Sequence, residues 1–151
     1  MKNICLRDAT INDQQMIFEW RNIDALVVLS SKQKKVTLQE HQQWFKKKIV
    51  DSNCKLLIIQ LGNKSIGLIR LELEQGEGKI TIYLIPGYEG QGFGYDALSQ
   101  MIDNCPDDCE SYLAEVQSKN IPSQKLFQKL GFFKVSESDA FILYNRNHTS
   151  K

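Results

Sequence analysis

The sequence predicts an α/β fold: a mixed sheet with helices packed on it. Three observations predict it. Apolar spacing switches repeatedly between a strand-like and a helical period, in the order β-α-α-β-β-β-α-β-α-β-β. Three strand-like runs follow one another with only tight turns between them, the pattern of an antiparallel meander. After the meander, helices and strands alternate. The 151 residues suit a single domain, 1–151, in which 146–151 form a polar tail.

Ile4–Arg7 is the first strand, short and followed by polar turn residues. From Asp13 the pattern turns helical, with Met16, Ile17, Trp20 and Ile23 at i, i+1, i+4 and i+7. A second helix begins at Thr37, where Thr37-Leu38-Gln39-Glu40 reads as a capping box. Its apolar stripe is Leu38, Trp44 or Phe45, and Ile49, and Lys46–Lys48 sit late in it, where the dipole favours cations. The meander strands are Lys55–Gln60, Ser65–Leu73 and Lys79–Ile85, with breaks at Asn63 and at Gly76-Glu77-Gly78. Pro86 and a glycine-rich turn lead into a helix from Gly92 to Asn104, with Ala97, Leu98, Met101 and Ile102 facing inward. A strand at Ser111–Gln117 precedes a helix from Asn120 to Leu130, with Leu126, Phe127 and Leu130 on one face. Gly131 supplies a left-handed C-cap. Two strands close the chain, Phe132–Ser136 and Ala140–Asn145, around a polar turn at Glu137–Asp139.

Composition narrows the function classes. Lys and Arg total 19 against 18 Asp and Glu, a net charge of +1, without the basic excess of a nucleic-acid or anionic-membrane binder. The aliphatic runs Ala25–Leu29 and Leu56–Ile59 are too short to cross a bilayer. The first residues show no apolar signal region, so a cytoplasmic location is expected. There the four cysteines, Cys5, Cys54, Cys105 and Cys109, are expected as thiols. Cys105 and Cys109 lack a second ligand pair, and His41 and His148 are far apart in sequence, so no metal is expected. Asn147-His148-Thr149 has the form of a glycosylation sequon, which carries no meaning without secretion.

The most informative stretch is a strand, Lys79–Ile85, running into Gly90-Gln91-Gly92-Phe93-Gly94, on which a helix opens. Glycines let the backbone turn so that several N–H groups converge, and the helix N-terminus adds unpaired donors and partial positive charge. Three readings compete. One is a ligand-free turn. Another is a dinucleotide fingerprint, since Gly92-Phe93-Gly94-Tyr95-Asp96-Ala97 nearly fits G-x-G-x-x-G/A. That motif normally occupies the first βα turn of a doubly wound sheet, whereas here antiparallel strands precede it. The third is a coenzyme A pyrophosphate loop.

The third reading is the one a family resemblance supports. Glu89-Gly90-Gln91-Gly92-Phe93-Gly94 resembles the acetyl-CoA signature Q/R-x-x-G-x-G/A of the GNAT N-acetyltransferases. Glu115-Val116-Gln117-Ser118-Lys119-Asn120-Ile121-Pro122-Ser123, followed by Phe127-Gln128-Lys129-Leu130-Gly131-Phe132, is similar to the run that completes the family's cofactor cleft. The resemblance spans about Ile4 to Asn145 and implies acetyl-CoA as cofactor, held by Ile82, Leu84, Glu89, Gly90, Gln91, Gly92, Phe93, Gly94, Tyr95, Asn120, Ser123 and Phe127. It also implies that the strands ending at Ile85 and Gln117 splay, so that the pantetheine arm enters the V like an added strand. The Leu84 backbone N–H would then face the thioester carbonyl, where negative charge develops as an amine attacks.

Proton handling follows from the same resemblance. Glu115 matches the glutamate that some family members use as base, but an ordinary carboxylate is too weak for an ammonium unless burial raises its pKa. Glu72 and His41 are weaker alternatives. The tyrosine that many members use as general acid is replaced by Phe127, and Glu89 replaces the usual Arg or Gln. A thiol of pKa ~8.5 still leaves tolerably as thiolate, so that loss need not abolish activity. The missing acid also leaves open a non-catalytic acetyl-CoA-binding domain.

Trp20-Arg21-Asn22, Ser30 and His41-Gln42-Gln43-Trp44-Phe45 gather aromatic and polar groups in the N-terminal helices. They read either as core packing or as an acceptor cleft with stacking aromatics and a phosphate-holding arginine. Together with Gly67-Leu68-Ile69-Arg70, they resemble acetyltransferases acting on the 4-amino group of nucleotide-linked sugars, as in pseudaminic acid biosynthesis. That resemblance implies a small-molecule amine acceptor, a nucleotide sugar, contacted by Trp20, Arg21, His41, Trp44 and Arg70. Acetyltransferases of ribosomal-protein N-termini share Asn-x-x-Ser and remain the alternative, and a homodimer is among the assemblies the resemblance allows.

Overall fold

The computed structural model describes residues 3–30, 33–104 and 109–147. Seven strands form one sheet: β1 (Ile4–Asp8), β2 (Cys54–Leu61), β3 (Lys64–Glu74), β4 (Glu77–Leu84), β5 (Ser111–Gln117), β6 (Phe133–Glu137) and β7 (Phe141–Asn147). Their spatial order is β1-β2-β3-β4-β5-β7-β6. Only β4 and β5 run parallel; every other neighbouring pair is antiparallel.

The helices divide between the two faces. Helices α4 (Phe93–Asp103) and α5 (Ile121–Lys129) cover one, where Ala97, Leu98, Met101 and Phe127 pack on Ile69, Ile80, Tyr112 and Val116. The other carries α1 (Gln14–Arg21), α2 (Asp24–Val27) and α3 (Leu38–Val50), with Ile17, Trp20 and Phe45 on Leu56, Ile58 and Leu68. Strand alternation explains the division, because successive side chains point to opposite faces.

Local chemistry accounts for most boundaries. The predicted capping box starts α3: Thr37 accepts from the Glu40 N–H, and Glu40 accepts from the Thr37 N–H. A second capping box, between Thr10 and Asp13, precedes α1. Gly131, at φ +86°, ends α5 as expected, with Phe132 N–H bonding Phe127 C=O and Gly131 N–H bonding Gln128 C=O.

Three expectations are corrected. The helix drawn through Ile23 stops at Arg21, because the Asn22 amide makes two 2.8 Å bonds to the Val36 backbone and turns the chain. In α3, Leu38 is 43% exposed and His41 is fully buried, so His41 and Phe45 form the inward stripe. The break assigned to Gly76-Glu77-Gly78 is the two-residue turn Gln75-Gly76, both at positive φ, and Glu77 and Gly78 belong to β4. Cys105 and His148 lie outside the described residues. No described helix is long and apolar enough to cross a membrane.

Candidate active site

The parallel ladder between β4 and β5 is short. It pairs Glu77 through Ile80 with Ser111 through Ala114 and then stops. Thr81–Leu84 and Glu115–Gln117 continue without pairing to each other, which is the expected splay. The Ile85 N–H bonds Ile66 in β3. Because alternate N–H groups on a strand point to opposite sides, those of Leu84 and Ile82 point the other way, into the gap.

The glycine-rich loop lies between the end of β4 and the start of α4. Gly90 and Gly92 take φ of +79° and +85°, conformations that cost an L-residue, and Gly92 is the N-cap of α4. Gly94 differs. A Cβ there would lie 3.4 Å from Leu126 Cδ2, an ordinary contact, so the space around it does not by itself demand glycine. Glu89 is turned back within the loop, accepting from the Gly87 N–H at 3.0 Å, and the Gln91 amide donates to the Gly87 carbonyl. Lys64 lies over the Tyr88 ring and Lys129 over the Tyr95 ring, which sets two cations beside the loop. The first N–H groups of a helix have no partner within it, and here they open from a glycine-rich loop with two cations beside it.

On the opposite face, β3 and β4 present Arg70, Thr81 and Tyr83 beneath α1 and α3. The Arg21 guanidinium stands 4.3 Å from the centre of the Trp44 ring, and that of Arg70 5.5 Å from it. Arg21 Nη1 is 3.1 Å from His41 Nδ1. Arg70 is ion-paired to Glu72 at 3.1 Å, without the alignment of a hydrogen bond, so its buried Nε has no hydrogen-bond partner. The buried Tyr83 hydroxyl has none either among the described residues. Burial and the charge of Arg70 both press the Arg21 pKa downward. Burial pushes the Tyr83 phenol far up, against the pull of both arginines, so it stays neutral and able to donate.

A family model described as an acetyltransferase (GNAT) domain matches residues 3–133. The chain belongs to the GNAT acetyltransferases. It is an N-acetyltransferase that draws its acetyl group from acetyl-CoA. Solved structures share the fold. A domain from Methanocaldococcus jannaschii superposes with a TM-score of 0.83 at 23% identity, covering 97% of this chain and 99% of that one. Spermidine N-acetyltransferase from Vibrio cholerae, in complex with CoA and spermine, gives 0.86 at 15%, covering 97% and 96%. The ribosomal alpha-N-protein acetyltransferase RimL, in complex with CoA, gives 0.82 at 14%, covering 96% and 94%. No curated protein matches by sequence.

The acetyltransferase places the candidate residues unevenly. A Cβ added at Gly90 would meet no atom within 4 Å, so the backbone there is open on that side. Asn120 caps α5, its side chain accepting from the Ser123 N–H, and Phe127 is buried against Phe132 and Tyr144. Trp20 is 7% exposed, packed edge-on to Tyr83, and belongs to the core rather than to an acceptor surface. Ser30 bonds Val27 and accepts from Gln117, holding the turn after α2.

None of the three carboxylate or imidazole candidates has the setting of a strong base. Glu115 lies on the same sheet face as Gln117 but is exposed, lining a shallow depression with Ser136, Glu137, Ser138, Phe141 and Leu143. The burial that its assignment required is not there. For Glu72, burial pushes the carboxyl up, but Lys48 and Arg70 outweigh it and hold it below the usual range. His41 has both ring nitrogens engaged and no exposed surface. It therefore neither contacts an acceptor nor takes its proton. Tyr83, Lys64 and Lys129 escaped the sequence reading; Tyr83 alone had a signal, since it alternates with Ile82 and Leu84 and must face the other side.

Proposed function

We propose that this acetyltransferase acts on the 4-amino group of a nucleotide-linked amino sugar. The observation that carries the reading is the guanidinium pair, Arg21 and Arg70, placed over Trp44 on the sheet face that carries α1 and α3. Two like charges repel, and Glu72 offsets only that of Arg70, so the site favours a ligand that brings further negative charge. A nucleotide diphosphate does so, and guanidinium forks match its oxygens. The Tyr83 hydroxyl and Arg70 Nε add buried donors to the same surface. A polyamine would meet repulsion there, which argues against the substrate class of the Vibrio cholerae enzyme. A peptide N-terminus would bring no anion to Arg21, whereas Arg70 already pairs with Glu72.

Acetyl-CoA supplies the acyl group as a thioester. The first amides of α4, with Gly90 and Gly92, receive the pyrophosphate, flanked by Lys64 and Lys129. The open edge of β4 beyond Ile80 offers main-chain groups to the pantetheine arm. The Leu84 N–H points at the carbonyl oxygen as charge develops on it. Asn120 and Ser123 fix the start of α5 on the far side of the gap. Glu115, exposed on the acceptor face, takes the amine's proton through water, and Phe127 donates none to the departing thiolate.

Mass spectrometry after incubation with acetyl-CoA tests the reading. The panel sets UDP-linked 4-amino sugars beside spermidine and short peptides with free N-termini. One added acetyl group on the sugars is the expected result. Acetylated peptides or polyamines with untouched sugars would overturn it.

A further inference from the structure

His41 sits beneath the guanidinium pair with every contact fixed. Its Nε2 is 2.8 Å from the Gln14 carbonyl, which can only accept, so that nitrogen carries the hydrogen. Its Nδ1 is 3.1 Å from Arg21 Nη1, which can only donate, so that nitrogen carries the lone pair. Both neighbours select the same neutral tautomer. The Phe18, Trp44 and Phe45 rings lie 5.5, 5.8 and 5.7 Å from the imidazole and close off its remaining surface. A second proton would turn Nδ1 into a donor facing a donor and set a cation against a cation.

The surroundings supply little relief. Facing the ring from α1 are the Gln14 carbonyl and Arg21, and from α3 the rings of Trp44 and Phe45. Glu40, next to it in α3, already accepts the Thr37 N–H. Arg70 of β3 lies against Trp44, and Tyr83 of β4 acts on Arg21 as the neutral phenol described above. Burial and Arg21 hold the ring's pKa below its usual 6.5, partly offset by the Gln14 carbonyl.

We infer that His41 is a positioning residue for acceptor binding: as the neutral Nε2–H tautomer it holds Arg21 against Trp44, and protonation of its ring frees that guanidinium. The inference rests on the reading of Arg21 as the group that pairs with the acceptor's anion. It gives the acetyltransferase an acidic limb in acceptor affinity that belongs to the protein rather than to the amine.

Two measurements test it, the first without any acceptor. In protein labelled with 15N at histidine and arginine, NMR should show His41 as the Nε2–H tautomer near neutral pH. The Arg21 guanidinium signals should move along the His41 titration curve. His41→Asn, whose side-chain oxygen accepts from Arg21 but does not titrate, should abolish that movement. Arg21 signals indifferent to the titration would overturn the inference and leave His41 a packing residue. The wild-type titration decides this even if the variant fails to fold.

The second measurement is calorimetric binding of UDP-N-acetylglucosamine to the CoA-saturated enzyme, a probe whose diphosphate charge is constant over the window. Kd should rise about tenfold from about pH 7.5 to about pH 5 in wild type and less than about twofold in His41→Asn. Equal pH dependence in both proteins would overturn the inference. Linked titration without binding at any pH would refute the nucleotide acceptor while supporting the His41–Arg21 coupling.

Discussion

Replacing Tyr83 by Phe should make the acetyltransferase more stable and a weaker binder of its acceptor. The Tyr83 hydroxyl is buried without a hydrogen-bond partner, while its ring packs edge-on to Trp20 at 6.2 Å. Phenylalanine keeps the ring contact and removes only the oxygen. An unsatisfied buried hydroxyl costs about 1–3 kcal/mol, so its loss should raise stability by at least about 1 kcal/mol. In a domain of this size that is a rise in Tm of roughly 2–4 °C. On the proposed reading the acceptor reaches this hydroxyl by parting the groups that cover it, and losing that bond costs about 0.5–1.5 kcal/mol. Acceptor KM should therefore rise roughly 2- to 13-fold, with the KM for acetyl-CoA unchanged. Thermal melting of the free enzyme and steady-state kinetics supply the two readings. A hydroxyl with a structural role would move both in the harmful direction. A lower Tm in Tyr83→Phe would refute the reasoning, as would an unchanged acceptor KM.

The remaining predictions concern the transfer step and the fold. Leu84→Pro removes an N–H that faces the gap rather than β3, so kcat should fall about 10²- to 10³-fold. Phe127→Leu, a packing change in the core, should cost far less; equal losses in two folded variants, checked by circular dichroism, would count against the oxyanion role. Glu115→Gln should lower kcat by less than about tenfold near neutral pH, because an exposed side chain that works through water is readily replaced by solvent. A loss of about 10³-fold would show that Glu115 takes the proton directly rather than through water. Asp13→Asn removes the charge and one of the two oxygens that pair with Arg7, leaving one oxygen to accept from the Thr10 N–H, and should cost about 1–2 kcal/mol, discounted for the exposure of Arg7. The Arg7 hydrogen bonds hold the Asp13 carboxyl below its usual 3.8, so this stabilisation is present above that value and lost as pH falls through the folded pKa. Wild type and variant should accordingly converge in Tm in acid, and a constant difference would remove the ion pair as the cause.

Much of this architecture is legible in the sequence because the signals are local. The Thr37–Glu40 box, the Gly131 cap and the Gly90–Gly94 loop each depend on residues within one turn, and the structure forms all three. The splay between β4 and β5 came from the family resemblance, and its register is a property of the assembled sheet. Long-range pairing explains the misreadings. Nothing local reveals that Asn22 would bond Val36 and end α1, or that Gln14 and Arg21 would claim both nitrogens of His41. Trp20 and Trp44 look alike in sequence, yet one is core and the other carries two guanidiniums. Only the packing of α1 and α3 on the sheet separates them. The same limit applies to Glu115, whose exposure depends on how β6 and β7 lie beside it.

The central claim is that Arg21 and Arg70 read the acceptor's nucleotide. Its most direct test compares kcat/KM for a UDP-linked 4-amino sugar with that for the same sugar lacking the nucleotide, in wild type and in Arg21→Ala. The account predicts a strong wild-type preference for the linked sugar, reduced at least tenfold in the variant, with little change for the free sugar. An equal preference in both proteins would contradict it.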